Sequence, residues 1–498
     1  MSSMKPEHSI ALTLAAHTNV GKTTLARTLL GRDVGEVRDA PHVTQLADRY
    51  TWLETPEGES LQLWDTPGFG DSQRLLKRME KSNTRLGWFL GQVWDRVFDR
   101  GFFYTQKALR NVRDEADVVL YLVNATESPE AASYIDSEMK LLEWTEKPVI
   151  VLINQLGTEQ DLEQEAADVR IWQTFLAQRY PQVVSVLPLD AFARCWVQEY
   201  PLLEAIRTSL KDGDRRELMT RLCAEWRADR IRTLDKSVDI LATYLVRCAI
   251  ARQPVEQAAG RLRKVLDGVL RRVDGPNAHK SAAQALSAQL RKDTKAVIDE
   301  LVSYHGLEAT IDKNIVDQLH QRVQPPTGLS EDKTTLVSAI VSGALTGLMA
   351  DIMTGGLSLG GGLIVGTLAG AIGGRAAAVG YNRVYGTSAS WIEWDANSLN
   401  ELFAHAVLCY LLVAHVGRGR GKAVLQGEHP KWQQELPLAV NALREALDAI
   451  WSSRGQQAPD ANAQKRIHDS LLPLVNRSIW AVLSALYPQA LALRTPVV

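Results

Sequence analysis

Residues 16–23 read Ala16-His17-Thr18-Asn19-Val20-Gly21-Lys22-Thr23, and an apolar run over 10–15 leads directly into them. The pattern Gly, four residues, Gly-Lys-Ser/Thr is that of a phosphate-cradling loop, with its first glycine replaced by Ala16. The run before it reads as a buried strand, and Thr24-Leu-Ala-Arg-Thr-Leu-Leu after it reads as a helix. Strand, loop and helix N-terminus is the geometry such a loop needs. Its N–H groups and the positive end of the helix dipole then hold phosphate oxygens. Lys22 is placed for the β- and γ-phosphates and the Thr23 hydroxyl for Mg²⁺. Every residue from Ala16 to Thr24 is therefore an expected nucleotide contact.

Two further stretches extend this pattern. Asp65-Thr66-Pro67-Gly68 follows a second apolar strand at 60–64. A carboxylate at a strand end, on the Mg²⁺ side of the phosphates, is what phosphoryl chemistry requires, and the Gly68 amide is placed to sense the γ-phosphate. Between the two motifs lies Asp39-Ala-Pro-His-Val-Thr44. Thr44 is placed to close on Mg²⁺ when the γ-phosphate is present. Thr23, Thr44 and Asp65 form the expected Mg²⁺ set, and Lys22 and Gly68 complete the catalytic list.

Apolar strands recur at 10–15, 51–55, 61–64, 118–123, 149–153 and 183–187, separated by helical stretches. That alternation predicts an α/β domain over 8–200, a mostly parallel sheet with helices on both faces. The stretch 69–114 is long for a loop region and carries Trp88, Phe89, Trp94, Phe98, Phe102, Phe103 and Tyr104 among many Arg and Lys. It reads either as an extra helix packed on the domain or as a nucleotide-controlled partner or dimer surface.

The motifs resemble the Era/TrmE-like branch of P-loop GTPases. The likeness is carried by Asn19-Val-Gly-Lys-Thr23, Gly35-Glu-Val-Arg-Asp39, Thr44 and Asp65-Thr-Pro-Gly68. The layout of the whole chain is similar to a bacterial family that joins such a domain to a C-terminal domain of unknown function with a Gly-rich apolar segment. The resemblance implies GTP and GDP as ligands, Mg²⁺ as cofactor, and pairing of G domains into a homodimer. Phe69 stands where many small GTPases place a water-orienting Gln, which implies slow intrinsic hydrolysis. Asn19 occupies the position that helps hold K⁺ in potassium-dependent relatives; read alone, it is equally an Asx brace of the loop.

The base-reading motif of such domains, Asn-Lys-x-Asp, is altered. After the strand ending at 153 come Asn154, Gln155 and, at the Asp position, Gly157. That Asp normally accepts two hydrogen bonds from guanine, and a bond to a charged acceptor is worth about 1.5–3 kcal/mol. Its loss weakens preference for guanine over adenine unless Glu159 or Asp161 replaces it. Asn154 and Gln155 remain the expected base-side contacts, and Val183-Val-Ser-Val-Leu-Pro-Leu-Asp190-Ala191 is the only candidate for the loop that backs the base.

The rest of the chain divides into 201–330, helical and charge-rich; 331–385, Gly-rich and apolar; and 386–498, helical again. Ile231, Leu234, Val238, Leu241, Leu245 and Cys248 alternate steps of three and four, a narrow seam for another helix of the same chain. From 334 to 374 the only charge is Asp351, and Gly362, Gly366, Gly370 and Gly374 fall every four residues. Such spacing suits close helix packing in lipid. Residues 352–374 are long enough to cross a core of roughly 30 Å. The stretch 334–381 reads either as a Gly-zipper hairpin in contact with the inner membrane or as a hairpin packed inside the helical region. The apolar run 402–416 is short and reads as a core helix.

A net charge of −2 gives no global signal for nucleic acid. Four cysteines without metal spacing read as small buried residues in a reducing compartment, and 1–8 has no apolar signal region, so the cytoplasm is expected. The sequence thus points to a nucleotide-driven switch with low GTPase turnover controlling a helical region. Its alternatives are a non-hydrolysing nucleotide scaffold and a membrane-remodelling or pore-forming protein gated by nucleotide.

Overall fold

β4 (Val118–Asn124) sends Val118, Leu120 and Leu122 into one apolar cluster and Val119, Tyr121 and Val123 into another. A strand buried on both sides belongs in a parallel sheet covered by helices on each face. The computed structural model describes residues 8–31, 34, 48–81, 100–154, 162–189, 195–255, 275–307, 390–418, 423–424, 430–454 and 460–494. In it β4 is joined by β1 (Ser9–Ala16), β2 (Asp48–Glu54), β3 (Ser60–Asp65), β5 (Val149–Asn154) and β6 (Val183–Pro188). All six expected strands are present. Their order is β2-β3-β1-β4-β5-β6, and every neighbour pair is parallel except β2 with β3. That exception is a hairpin turning at Gly58, whose φ of 86° favours glycine.

Helices α1 (Lys22–Leu30), α2 (Ser72–Lys81), α3 (Arg100–Glu115), α4 (Ile135–Glu143), α5 (Leu162–Ala177) and α6 (Glu199–Ser209) accompany the sheet. The chain leaves β1 toward β3 on one side and β4 on the other, so a crevice opens at the C-terminal ends of these strands, where ligands of open α/β sheets bind. The register aligns Leu14 with Asp65 and Asn124 with Asn154 along that edge. Within the long 69–114 stretch, α3 is an added helix packed on the sheet. Phe102, Leu109 and Val112 are fully buried there, and Thr13 donates a hydrogen bond to Asn111. Residues 82–99, with Trp88, Phe89, Trp94 and Phe98, lie outside the described residues.

The C-terminal region is mostly helical. α7 (Gly213–Ile250) starts at Asp212, whose carboxylate accepts from the Asp214 N–H, and runs past α8 (Gly275–Tyr304), α9 (Ala396–Ala414) and α12 (Ala461–Leu486). Between them in sequence come α10 (Pro430–Asn441) and α11 (Arg444–Ser452), and α13 (Ala490–Arg494) follows α12. Leu234, Val238, Leu241, Leu245 and Cys248 of the expected seam are buried, and Ile231 is half-buried. Two short ribbons are added to the expected helical region. β7 (Arg252–Val255) pairs with β8 (Ser390–Glu393), and β9 (Gly417–Arg418) with β10 (Ala423–Val424). Pro254 lacks the N–H that would continue α7, and the Arg252–Glu393 ion pair at 2.7 Å fastens the first ribbon.

α9 begins earlier than the sequence suggested because Asp395 caps it, accepting from Ser398 N–H at 2.7 Å. It is apolar enough to cross a membrane by composition, but 78% of its apolar window is buried inside the protein, so it packs as a core helix. The 334–381 stretch lies outside the described residues. Cys195, Cys248 and Cys409 are buried, as the sequence suggested, while Cys223 is half-buried.

The helical region grips the sheet at the end opposite the crevice. Arg215 pairs with Asp117, which itself accepts from the Ala11 N–H, and Arg221 forms a bidentate pair with Glu59. Further along α7, the neutral ring of His305 accompanies Ser237 at 3.1 Å, and burial, aided by the Arg230 charge, pulls its pKa down to about 4. The unfolded chain therefore binds this proton more readily than the folded one between about pH 6.5 and 4, and stability falls as pH drops through that window. His305→Gln is expected to flatten this fall by about 1–3 kcal/mol in denaturation series at pH 7 and pH 4.5.

Candidate nucleotide site

Gly21, at φ 98°, ends the loop and opens α1, whose first residues Lys22, Thr23 and Thr24 are buried. Asn19 is the other left-handed position, at φ 66°, a conformation asparagine tolerates better than most residues. Its side chain is exposed. This backbone conformation is one that suits an asparagine at 19.

Three contacts fold the Asp65–Phe69 segment back against β1 and the loop. Thr66 Oγ1 donates to Leu14 O at 2.6 Å, Phe69 N–H donates to Ala16 O at 3.0 Å, and Thr23 Oγ1 donates to Asp65 Oδ2 at 2.6 Å. Phe69 is fully buried, so it serves the core and does not point at water. A Cβ on Gly68 would lie 3.1 Å from Thr18 Cα and 3.2 Å from Lys22 Nζ. The approach is tight enough that a side chain here would push against the loop backbone. Gly68→Ala is expected to cost about 1–3 kcal/mol of stability by overpacking, read by chemical denaturation, and to weaken nucleotide binding with it.

Lys22 Nζ donates to His17 O at 3.3 Å. Burial pulls its pKa down, opposed by Asp65 and Glu138. Burial pushes the Asp65 carboxyl up to about 6, opposed by the Thr23 hydrogen bond and by Lys22. Asp65 Oδ1 is buried and has no hydrogen-bond partner among the described residues. An orphaned carboxylate oxygen beside a threonine hydroxyl is a donor set that suits a hard divalent cation such as Mg²⁺.

Asn154, fully buried at the end of β5, donates from Nδ2 to Val20 O at 2.8 Å. It thus braces the loop from the base side. Thr44 and Gln155 lie outside the described residues, as do Gly157, Glu159, Asp161, Asp190 and Ala191.

Sequence reasoning missed Glu138, on α4. It is fully buried; Oε1 lies 2.7 Å from His17 Nδ1, and Oε2 accepts from Tyr121 OH at 2.6 Å. His17 also stacks on Tyr134, with ring centroids 4.3 Å apart. No local signal ties Glu138 to the phosphate loop, because His17 is more than a hundred residues away in sequence.

A family model described as "50S ribosome-binding GTPase" matches residues 12–155. A second, described as "Domain of unknown function (DUF3482)", matches residues 176–472, more than half of the chain. The chain belongs to the DUF3482 family. In this DUF3482 protein the N-terminal part is an Era-like P-loop GTPase domain. GTPase Der of Paenarthrobacter aurescens is 26% identical over 170 residues, 34% of this chain and 28% of Der. GTPase Era of Heliobacterium modesticaldum is 24% identical over 220 residues, 43% of this chain and 63% of Era. The chain thus spans less than two thirds of either relative. Among solved structures, a variant of Aquifex aeolicus Era bound to GDP and AlF₄⁻ is 19% identical, with 41% of this chain and 58% of that chain covered at a TM-score of 0.30.

Proposed function

We propose that the chain is a guanine-nucleotide switch that hydrolyses GTP slowly with Mg²⁺ and uses the nucleotide state to control its helical region. The observation that carries this reading is the Thr23–Asp65 pair, with its orphaned Oδ1, set beside buried Lys22 at the head of α1. Lys22 and the loop amides would bind and orient phosphate oxygens; Thr23 and Asp65, joined by Thr44, would hold Mg²⁺. Bound there, the cation neutralises charge building on the phosphates. Gly68, lying over Lys22, would sense the γ-phosphate. Since Phe69 is packed in the core, water is oriented by another group, consistent with low turnover.

Control of the helical region is supported by α1 itself. It begins at the phosphate loop and ends at a cavity of about 230 Å³ lined by Thr28, Gly31 and Trp52 together with Arg230, His305 and Tyr410 of the helical region. The membrane contact through 334–381, the inner-membrane location, the K⁺ dependence through Asn19 and the G-domain homodimer belong to the same proposal.

The test is equilibrium binding of labelled GTP, GDP, ATP and ADP to the full chain, in Na⁺ and in K⁺, with phosphate release measured alongside. Guanine preference with turnover above a Lys22→Ala control is the expected result. Adenine-biased or equal binding would mean that Gly157 has removed guanine reading. Equal turnover in the two salts removes the potassium arm, and binding without turnover favours the non-hydrolysing scaffold.

A further inference from the structure

We propose that Glu138 is a positioning residue of the nucleotide site, acting through His17, and that its neighbour Ser137 ties the Asp65–Ser72 loop to the same turn of α4. This rests on the nucleotide reading above. A carboxylate is rarely buried without a purpose-built set of partners, because leaving its charge unpaired is costly. Glu138 is fully buried and both its oxygens are engaged, one by His17 and one by Tyr121. His17 is the second residue of the phosphate loop and is half-exposed. Here its ring is fixed on a second side by stacking on Tyr134 at an interplanar angle of 16°, and Tyr134 is itself held through its OH to Glu127 at 2.6 Å. The His17 carbonyl accepts from Lys22 Nζ, so fixing residue 17 also fixes the peptide against which the lysine rests.

The adjacent residue makes the second connection. Ser137 Oγ lies 2.9 Å from Ser72 Oγ, at the start of α2, in a buried contact. Consecutive residues of α4 therefore hold the phosphate loop and the segment carrying Asp65 and Gly68. These two loops meet where Gly68 crosses Thr18 and Lys22. A γ-phosphate held between Lys22 and the Gly68 amide acts on both loops, and α4 is the element to which both are fastened.

The experiment uses the full chain, with fluorescent GDP and a non-hydrolysable GTP analogue as probes and thermal unfolding as a fold control. The variants are Glu138→Ala, His17→Ala, the double variant, Glu138→Gln and Ser137→Ala. Glu138→Ala and His17→Ala are each expected to weaken binding by about tenfold, the worth of one hydrogen bond to a charged group, and the double variant no more than either alone. Glu138→Gln, which can still donate to His17 and accept from Tyr121, recovers most of the loss. Ser137→Ala changes the ratio of triphosphate to diphosphate affinity. His17→Ala, on the half-exposed side of the pair, tests the link without opening the core should Glu138→Ala unfold. Additive losses in the double variant, or single losses that merely follow the melting temperature, overturn the proposal. If the wild-type chain binds neither probe, the nucleotide reading itself fails, a result distinct from both.

Discussion

Lys22→Ala is expected to lower triphosphate turnover by about 10²–10³-fold while leaving the fold intact. The two halves of that expectation have one origin. Lys22 is held in a buried place where its charge is disfavoured by desolvation and restored only partly by Asp65 and Glu138. A lysine whose folded pKa lies below its unfolded value takes stability away at neutral pH and returns it only as pH rises past the folded value. Removing it therefore costs little stability. What is lost is a buried cation beside Asp65 at the head of α1, the kind of group that offsets charge developing on a transferred phosphoryl group. With Lys22 gone, Asp65 keeps only Thr23 and the more weakly felt Arg27 against desolvation, so its carboxyl moves further above 6. The check is phosphate release together with a melting curve. A variant that turns over like wild type places the chemistry elsewhere, and one that loses activity only by unfolding separates Lys22 from the mechanism.

The parts of this molecule that were legible in the sequence are those whose signal is local. Each strand announces itself as a short apolar run, and both faces of β4 can be buried because Val118 to Val123 offers no charged residue. The phosphate loop is legible because its chemistry needs Gly-Lys-Thr in series at a helix start. Asp65 is legible for a similar reason, a carboxylate following an apolar run. What was hidden depends on pairs far apart in the chain. His17 was legible only as a residue of the phosphate loop until the fold brought Glu138 to it. The ribbon of Arg252–Val255 with Ser390–Glu393 joins segments separated by well over a hundred residues, and neither half has enough length to read as a strand alone. The contact of the Asn154 amide with Val20 O was also hidden, because it depends on the fold placing the end of β5 beside the loop. The docking of α7 on the far end of the sheet rests on Arg215 and Arg221, two among many arginines of a charge-rich helix.

Trp226→Ala is expected to destabilise the protein by about 3–5 kcal/mol, the cost of deleting a large buried aromatic side chain. Trp226, on α7, is 2% exposed and stacks on Tyr200 of α6 with centroids 6.3 Å apart. Its Nε1 donates at 2.6 Å to the Glu199 carboxylate, which is itself buried and approached by Arg230 at 3.6 Å. Alanine removes the ring and withdraws a hydrogen bond from a buried charge at once. Trp226→Phe separates these terms: it keeps most of the area and loses only the donor, at about 1–3 kcal/mol. The consequence reaches beyond one cavity. Trp226 touches Trp196, whose own Nε1 donates to Tyr410 of α9 and whose ring meets Trp480 of α12 at 6.0 Å. One aromatic cluster thus joins the segment that follows the sheet to three helices of the C-terminal region. A nucleotide-driven change can be passed across such a joint only while its members move as one packed unit. Denaturant titration read by both nucleotide release and tryptophan fluorescence decides the point. In the wild type the two signals are expected to change together, and in Trp226→Ala they are expected to part. If they still coincide at a lower midpoint, the coupling runs instead through Arg215–Asp117 and Arg221–Glu59 at the far end of the sheet.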